Sequence, residues 1–235
     1  MVSTPDPVAD LSAPARALLV VAKQPSAGQT KTRLCPPLTG EMAAHLYTGF
    51  LLDTLEIMRQ VPGVHRSIAY LPDDAGDFFH ELAPDMALTR QLGTTLGERL
   101  DHLLSEALAN GSQQAVVMDS DSPTLPPAYV AEAFAQLDGT VDVVVGPCRD
   151  GGYYLIGMKR PHPRLLREVQ MSTPHVLRDT LALAAELGVQ VVLLPEWYDV
   201  DTASELAELR AELAATNHDV AMHTARYLRE VQWKP

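Results

Sequence analysis

The sequence predicts an α/β fold in which helices cover both faces of a mixed, mostly parallel sheet. Short apolar runs alternate along the chain with longer amphipathic segments, a pattern typical of parallel strands joined by crossover helices. With 235 residues and 46% hydrophobic content, the chain can bury one substantial core. No internal repeat or change of composition indicates a second domain. We therefore expect a flexible leader over residues 1–16 and a single domain over residues 17–235.

Strands are predicted where short apolar runs, partly β-branched, end at polar or turn-forming residues. These runs are residues 17–22, 66–71, 86–92, 115–118, 141–146 and 189–194. Residues 153–158 also have the character of a strand, and we place them at an edge of the sheet or in an insertion.

Helices are predicted where apolar residues recur three or four positions apart. They cover residues 40–60, 73–82, 96–110, 129–137, 175–187, 202–214 and 220–231. Pro62 and Gly63 end the first helix, and Gly111 suits the C-terminal end of the third. Asp201 or Thr202 is expected to cap the N-terminus of the helix over residues 202–214.

The bulk composition excludes several classes of function. A formal net charge of -12 argues against a nucleic-acid partner, which needs a basic surface. Cys35 and Cys148 form no C-x-x-C pair, so we expect two lone thiols in a reduced compartment. No apolar run reaches the ~20 residues needed to cross a bilayer, and the N-terminus does not resemble a signal peptide. We expect a cytoplasmic enzyme that does not engage a membrane, and the sequence does not indicate its oligomeric state.

The loop after the first predicted strand has the residues of a phosphate site. Gly28 allows backbone N–H groups to approach a ligand closely, and Lys31, Thr32 and Arg33 follow it. Lysine and arginine supply positive charge, and arginine can bind two oxygens at once. A solvated basic loop is the alternative, but this cluster stands out in an acidic chain.

Two pairs of acids follow two predicted strands. The stretch D-S-D-S-P carries Asp119 and Asp121, and the stretch W-Y-D-V-D-T carries Asp199 and Asp201. Ligands bind at the carboxyl ends of parallel strands, and carboxylates are the ligands that Mg²⁺ and Mn²⁺ prefer. A turn or a helix cap explains one acid of each pair, but the two strand ends together predict a shared cation site.

Two further glycine-containing stretches are candidates for contact with the ligand. Asp150, Gly151 and Gly152 form a tight-turn signal that either links two strands as a hairpin or sets Asp150 and the ring of Tyr153 beside the ligand. A carboxylate there could act as a general base on an acceptor hydroxyl.

The stretch Q-L-G-T-T-L-G-E-R also has the composition of a ligand loop, with Gly93 and Arg99 as its candidate contacts. A capped helix with a solvated arginine explains it equally well.

Six motifs in a fixed order resemble one family. They are A-K-Q-P-S-A-G-Q-T-K-T-R-L, Q-L-G-T-T-L-G-E-R-L, D-S-D-S-P-T-L, G-P-C-R-D-G-G-Y-Y-L-I-G, S-T-P-H-V-L and Y-D-V-D-T-A-S-E-L. Between residues 18 and 213 the chain is thereby similar to small bacterial GT-A-fold transferases of the arsenosugar-biosynthesis or radical-SAM-associated type. The resemblance implies a nucleotide-diphospho-sugar transferase fold, a divalent metal and a nucleotide donor. The family commonly has glycine where Asp119 stands, so Asp121 is the metal ligand that the resemblance supports better.

The leading prediction is a metal-dependent glycosyltransferase that moves a sugar from a nucleotide sugar to a small-molecule acceptor. Lys31 and Arg33 would bind the phosphates, and Asp121 and Asp201 would hold Mg²⁺ or Mn²⁺. Asp150 would lie on the acceptor side.

Two alternatives remain open. The K-T-R-L loop is also similar to that of 2-phospho-L-lactate guanylyltransferase. This resemblance implies a nucleotidyltransferase that uses a nucleoside triphosphate and a phosphorylated small molecule and releases pyrophosphate. The second alternative is a nucleotide-binding protein without activity.

Overall fold

A computed structural model of the chain describes residues 16–215 and 220–231. The predicted leader lies outside the described residues except for Arg16, which begins the first strand. Within the described part of the chain, seven strands form one sheet: β1 (Arg16–Lys23), β2 (His65–Leu71), β3 (Ala87–Arg90), β4 (Gln114–Met118), β5 (Val143–Pro147), β6 (Tyr153–Met158) and β7 (Val191–Leu193). Their spatial order is β3-β2-β1-β4-β6-β5-β7. All neighbouring pairs are parallel except those of β6, which confirms the predicted mixed, mostly parallel sheet.

The strand β6 corrects one sequence prediction, because it lies inside the sheet rather than at its edge or in an insertion. It pairs antiparallel with both β4 and β5, and Ile156 lies opposite Val117 on one side and Val145 on the other. The tight turn at residues 148–152 reverses the chain after β5, so β6 runs back beside its predecessor. Its residues after Tyr153 are buried, which an edge strand would not require.

The helices alternate with the strands as far as β5; β6 then follows directly, two helices lie between β6 and β7, and two more follow β7. The helices are α1 (Gly40–Arg59), α2 (Gly76–Leu82), α3 (Leu96–Ala109), α4 (Pro127–Asp138), α5 (Pro163–Arg167), α6 (Val176–Leu187), α7 (Ala203–Ala215) and α8 (Met222–Glu230). Sequence periodicity predicted seven of them, with α2 beginning three residues later than expected. It missed α5 and a 3-10 turn at Thr32–Leu34, because segments of five and three residues are too short to show a helical period.

Two core layers hold the helices on opposite faces of the sheet. In β1, Leu18 and Val20 pack in one layer with α1, α2, α4, α7 and α8. Leu19, which alternates with them, packs in the other layer with α3, α5 and α6. This alternation follows from the two-residue period of a strand. Within the described residues, no helix is long and apolar enough to cross a lipid bilayer.

The start of α7 leaves the Asp201 carboxylate available for other contacts. The backbone N–H groups of Asp201 and Thr202 both donate to Glu205 Oε2, at 2.8 and 2.7 Å. Glu205 therefore satisfies the helix terminus from within the first turn, which is the function of a capping acid. Of the two predicted caps, Thr202 stands at the N-terminus of α7, where its carbonyl accepts from the N–H of Leu206 at 3.0 Å, and Asp201 precedes it.

Candidate functional site

A cavity of about 440 Å³ opens at the edge of the sheet where the parallel strands end. The loop after β1 provides residues 29–33 of its lining, and the segment after β4 provides residues 119–121. Leu71 ends β2, Gln91 follows β3, Arg99 comes from α3, and Asp201 precedes α7. Because these residues come from separate strand ends, the parallel topology alone places them around one space.

The ammonium of Lys31 joins the two acidic strand ends at this cavity. Lys31 Nζ lies 2.8 Å from Asp121 Oδ1 and 2.7 Å from Asp201 Oδ1. It also donates to the backbone carbonyl of Val200 at 2.9 Å. Only 5% of the Lys31 side chain is exposed, and its ammonium also lies 5.6 Å from the centre of the Phe50 ring. The structure thus brings Asp121 and Asp201 together around a positive charge.

The electrostatics of this cluster favour its charged state. Burial acts to lower the pKa of Lys31, but the carboxylates of Asp121 and Asp201 outweigh it and raise the pKa above the usual value. For Asp201, burial alone would raise the pKa, and the charges and hydrogen bonds of Lys31 and Arg33 lower it. Arg33 NH1 lies 3.1 Å from Asp201 Oδ2 on the solvent side. A cation is therefore strongly favoured between these carboxylates.

Asp119 also lines the cavity, and its carboxylate accepts two local hydrogen bonds. Its Oδ1 accepts from the backbone N–H of Asp121 at 3.2 Å, and its Oδ2 accepts from Ser122 Oγ at 3.1 Å. Burial, followed by the charges of Asp121 and Asp199, raises the pKa of Asp119 well above its usual range. Asp119 therefore fixes the turn that carries Asp121.

A second group of potential ligands lies at the ends of β5 and β7. Cys148, Asp150 and Asp199 each offer one atom, and these atoms all lie within 4.8 Å of one another. Burial and then the charges of Asp150 and Asp201 raise the pKa of Asp199 to about 6. Burial and the surrounding carboxylates, led by Asp119, also raise the pKa of the Cys148 thiol, so Cys148 is a poor thiolate.

Asp150 and Asp199 line a smaller cavity of about 280 Å³, together with residues of α7. The turn before β6 holds Asp150 at this smaller cavity. Asp150 Oδ1 accepts from Gly152 N at 2.8 Å, and Gly151 has a φ of +90°. A Cβ atom on Gly151 would lie 2.1 Å from the carbonyl oxygen of Pro174. Glycine is therefore required where this turn meets the loop before α6.

Several predicted contacts do not line the main cavity. Gly28 and Gly93, with φ values of +73° and +131°, shape their loops but lie outside the cavity lining, whereas Thr32 and Arg99 belong to it. The Tyr153 ring packs in the α3–α5–α6 core layer, and its hydroxyl contacts Met171 Sδ at 3.5 Å. Tyr153 therefore lies outside the cavity lining, because its side chain leaves β6 on the face that α3, α5 and α6 cover.

Tyr47 and Gln91 are among several polar residues of the cavity wall that sequence reasoning did not predict as contacts. The Tyr47 hydroxyl lies 2.8 Å from Ser120 Oγ and accepts from the backbone N–H of Lys23 at 3.2 Å. Gln91 Nε2 donates to the carbonyls of Ala22 and Ala69, at 3.2 and 2.8 Å. Tyr47 lies within the apolar period of α1 and gave no signal. Gln91 is the first residue of the stretch Q-L-G-T-T-L-G-E-R that was predicted as a ligand loop, although only Gly93 and Arg99 were predicted as its contacts.

Comparisons with known proteins agree with this architecture. The chain is 31% identical to a protein of Desulfovibrio desulfuricans G20 that is provisionally assigned as a nucleotide-diphospho-sugar transferase. The match has a TM-score of 0.85 and covers 92% of this chain and 94% of the other. No curated protein matches the chain.

Two more distant structures share the fold. One is CMP:2-keto-3-deoxy-manno-octonic acid synthetase in complex with CTP, at 13% identity and a TM-score of 0.55, covering 85% of this chain and 98% of the other. The other is glucosyl-3-phosphoglycerate synthase of Mycobacterium tuberculosis with Mn²⁺, UDP and glucosyl-3-phosphoglycerate, at 12% identity and a TM-score of 0.50, covering 85% and 78%. At these identities the likeness shows the fold alone.

Family membership follows from the sequence match. Residues 54–173, just over half of the chain, match the family described as "Uncharacterized protein conserved in bacteria (DUF2064)". The fold is that of nucleotide-diphospho-sugar transferases of the GT-A type, as predicted. The chain therefore belongs to the DUF2064 family.

Proposed function

We propose that this chain is a metal-dependent glycosyltransferase that moves a sugar from a nucleotide sugar to a small-molecule acceptor. The observation that carries the proposal is the convergence of Asp121 and Asp201 on one cation at the rim of the main cavity. The 31% identity to a provisionally assigned nucleotide-diphospho-sugar transferase supports the same class of donor. The resemblance of six motifs to the arsenosugar-biosynthesis type also supports it.

The residues at this rim fit a divalent cation. Two carboxylates and the carbonyl of Val200 already surround an ammonium group at 2.7–2.9 Å. Hard cations take such a set of oxygens and complete it with waters and substrate phosphates. When bound by Asp121 and Asp201, Mg²⁺ or Mn²⁺ would neutralise charge that develops on the leaving nucleoside diphosphate.

The remaining roles follow from position around the cavity. Lys31, Thr32 and Arg33 lie on the loop beside the acids, where their donors would bind phosphate oxygens of the donor. Arg99 lines the same cavity from α3 and would contact the nucleotide. Asp150 lies in the smaller cavity beside Asp199, where it would accept a proton from the acceptor hydroxyl or orient it.

Nucleotidyl transfer is the second candidate function. The observation in its favour is the K-T-R-L loop, which lies directly against the acids at the cavity. In this reaction a phosphorylated acceptor would attack the α-phosphate of a nucleoside triphosphate, and pyrophosphate would leave. The same cation and the same basic residues would serve, because negative charge again builds on a leaving phosphate.

One experiment separates the candidates. The protein is incubated with Mn²⁺ and either nucleotide sugars or nucleoside triphosphates with phosphorylated small acids. Release of nucleoside diphosphate from a nucleotide sugar supports glycosyl transfer, and release of pyrophosphate supports nucleotidyl transfer. Binding without either release contradicts both and indicates a nucleotide-binding protein.

Variants test the assignment of the site. We expect Asp121→Asn and Asp201→Asn each to reduce Mn²⁺-dependent turnover by about a hundredfold or more. Asp85→Asn is the matched control, because Asp85 pairs with Arg59 outside the cavity lining. If both site variants keep the turnover of the wild type, these acids do not hold the metal.

A further inference from the structure

The Lys31 ammonium occupies the position that a divalent cation would take between the two carboxylates. Its three oxygen partners are Asp121 Oδ1, Asp201 Oδ1 and the carbonyl of Val200. These are carboxylate and carbonyl oxygens, the types that Mg²⁺ and Mn²⁺ bind. An ammonium group and a divalent cation cannot share these oxygens, since both are positive and would lie within contact distance.

The backbone at Lys31 is also held in an unfavourable conformation. Lys31 has a φ of +50° and a ψ of +40°, in the left-handed region that residues with a Cβ atom rarely adopt. Such a conformation persists only where surrounding contacts compensate for its cost. The contacts of the Lys31 ammonium with Asp121 and Asp201 compensate for this cost. Loss of these contacts would leave the residue free to return to an ordinary conformation.

We propose that Lys31 is a built-in counter-cation for Asp121 and Asp201, and that a divalent cation displaces its ammonium into the main cavity. The inference rests on the proposed function, since it requires a divalent cation at these two acids. Lys31 lines the same cavity that would hold the donor phosphates. Its displaced charge would then be available to phosphate oxygens, whereas in the described state two carboxylates neutralise it.

This exchange would couple the binding of metal to the binding of phosphate. Metal binding would remove the two carboxylate partners of Lys31 and release its charge for the donor. By linkage, a bound diphosphate that attracts Lys31 would in turn favour the metal. Lys31 would therefore serve the acids and the donor phosphates in turn, and its loss would change the two affinities in opposite directions.

The first test measures Mn²⁺ binding by calorimetry on the full chain without nucleotide. Suppose that the carboxylates are free of the ammonium in about a tenth of the molecules. Lys31→Met should then bind Mn²⁺ about tenfold more tightly than the wild type, because the apparent affinity is proportional to the fraction of molecules with free carboxylates. Arg33→Met is the matched control. It also removes one charge from beside Asp201, but from a side chain that is 67% exposed, and should change the affinity by no more than about threefold.

The outcomes separate this inference from the proposed function. If Lys31→Met binds Mn²⁺ with equal or lower affinity than the wild type, the displacement is wrong, while metal binding by the chain stands. If neither the wild type nor the two variants bind Mn²⁺, both proposals fail.

A second measurement uses the wild type and does not depend on the folding of a variant. Acetylation of lysine is followed by peptide mass spectrometry with and without Mg²⁺. We expect Mg²⁺ to accelerate acetylation of Lys31 severalfold relative to Lys159, which bonds to the carbonyl of Gly139 outside the cavity lining. An unchanged or slower reaction of Lys31 overturns the displacement.

Discussion

Lys31 Nζ and Asp201 Oδ1 lie 2.7 Å apart although 170 residues separate them in the sequence. The contact connects the loop after β1 with the segment between β7 and α7, at opposite ends of the chain. Asp121 joins the same ammonium from the end of β4. The three residues lie on the segments that follow β1, β4 and β7, so the cluster forms only when these strands have taken their places in the sheet.

Glu205 should be needed to position Asp201. Its carboxylate accepts from the N–H groups of Asp201 and Thr202, so Glu205→Ala leaves the start of α7 uncapped. We expect a loss of about 1 kcal/mol in the free energy of unfolding, which is typical for a lost cap, and weaker Mn²⁺ binding. Denaturant titration and calorimetry check the two effects. Unchanged Mn²⁺ affinity in a destabilised variant would show that Glu205 serves α7 alone.

Gly151 should tolerate no side chain. Gly151→Ala would place an alanine at a φ of +90°, with its Cβ atom 2.1 Å from the Pro174 carbonyl oxygen. We expect it to lower the free energy of unfolding by about 1–3 kcal/mol or more, since the strain and the contact add. Gly152→Ala is the control, because the atoms nearest to its Cβ atom would be those of the Asp150 side chain, at 3.1 Å or more. Equal stability of the two variants in urea would contradict this view of the turn.

The Tyr47 hydroxyl should stabilise the cavity wall. Tyr47→Phe removes the acceptor of the Lys23 N–H and the partner of Ser120 Oγ. Unsatisfied buried groups cost about 1–3 kcal/mol, so we expect a loss of that order in thermal or chemical unfolding. Tyr70→Phe is the control, because it also removes a tyrosine hydroxyl, one that lies next to Gly76. If Tyr47→Phe and Tyr70→Phe lower the free energy of unfolding equally, the contact between Tyr47 and Ser120 does not stabilise the cavity wall.

The capping box of α3 should give a pH-dependent contribution to stability. Hydrogen bonds from the hydroxyl of Thr94, then from the backbone N–H groups of Thr95 and Thr94, lower the pKa of Glu98 below its ordinary value of 4.5. A lowered carboxyl pKa stabilises the fold above the unfolded value, and the contribution is lost as pH falls through the folded value. Glu98→Gln should therefore lower the melting temperature slightly at pH 7 and not at pH 2.5. An equal difference at both pH values would contradict the role of the charge.

Local sequence patterns predicted most of the fold. Period-two and period-3.6 apolar patterns identified the strands and the longer helices, because each element buries one face or stripe against the sheet. The place of β6 could not be predicted in this way. Whether a strand after a tight turn lies at the edge or between two others depends on pairing with β4, a contact across about forty residues that no local pattern encodes.

The sequence by itself determined which polar and charged residues follow the strands: a basic loop after β1, acids after β4 and before α7, and the turn at Asp150. It determined them because polar and charged residues that interrupt apolar runs must lie where the strands leave the core. Only the tertiary structure decided how these residues pair. It placed Lys31 between Asp121 and Asp201, set Asp199 beside Cys148 and Asp150, and turned Tyr153 toward Met171. Such pairings depend on strand order and on the face to which each side chain points, and both are fixed only when distant segments pack against each other.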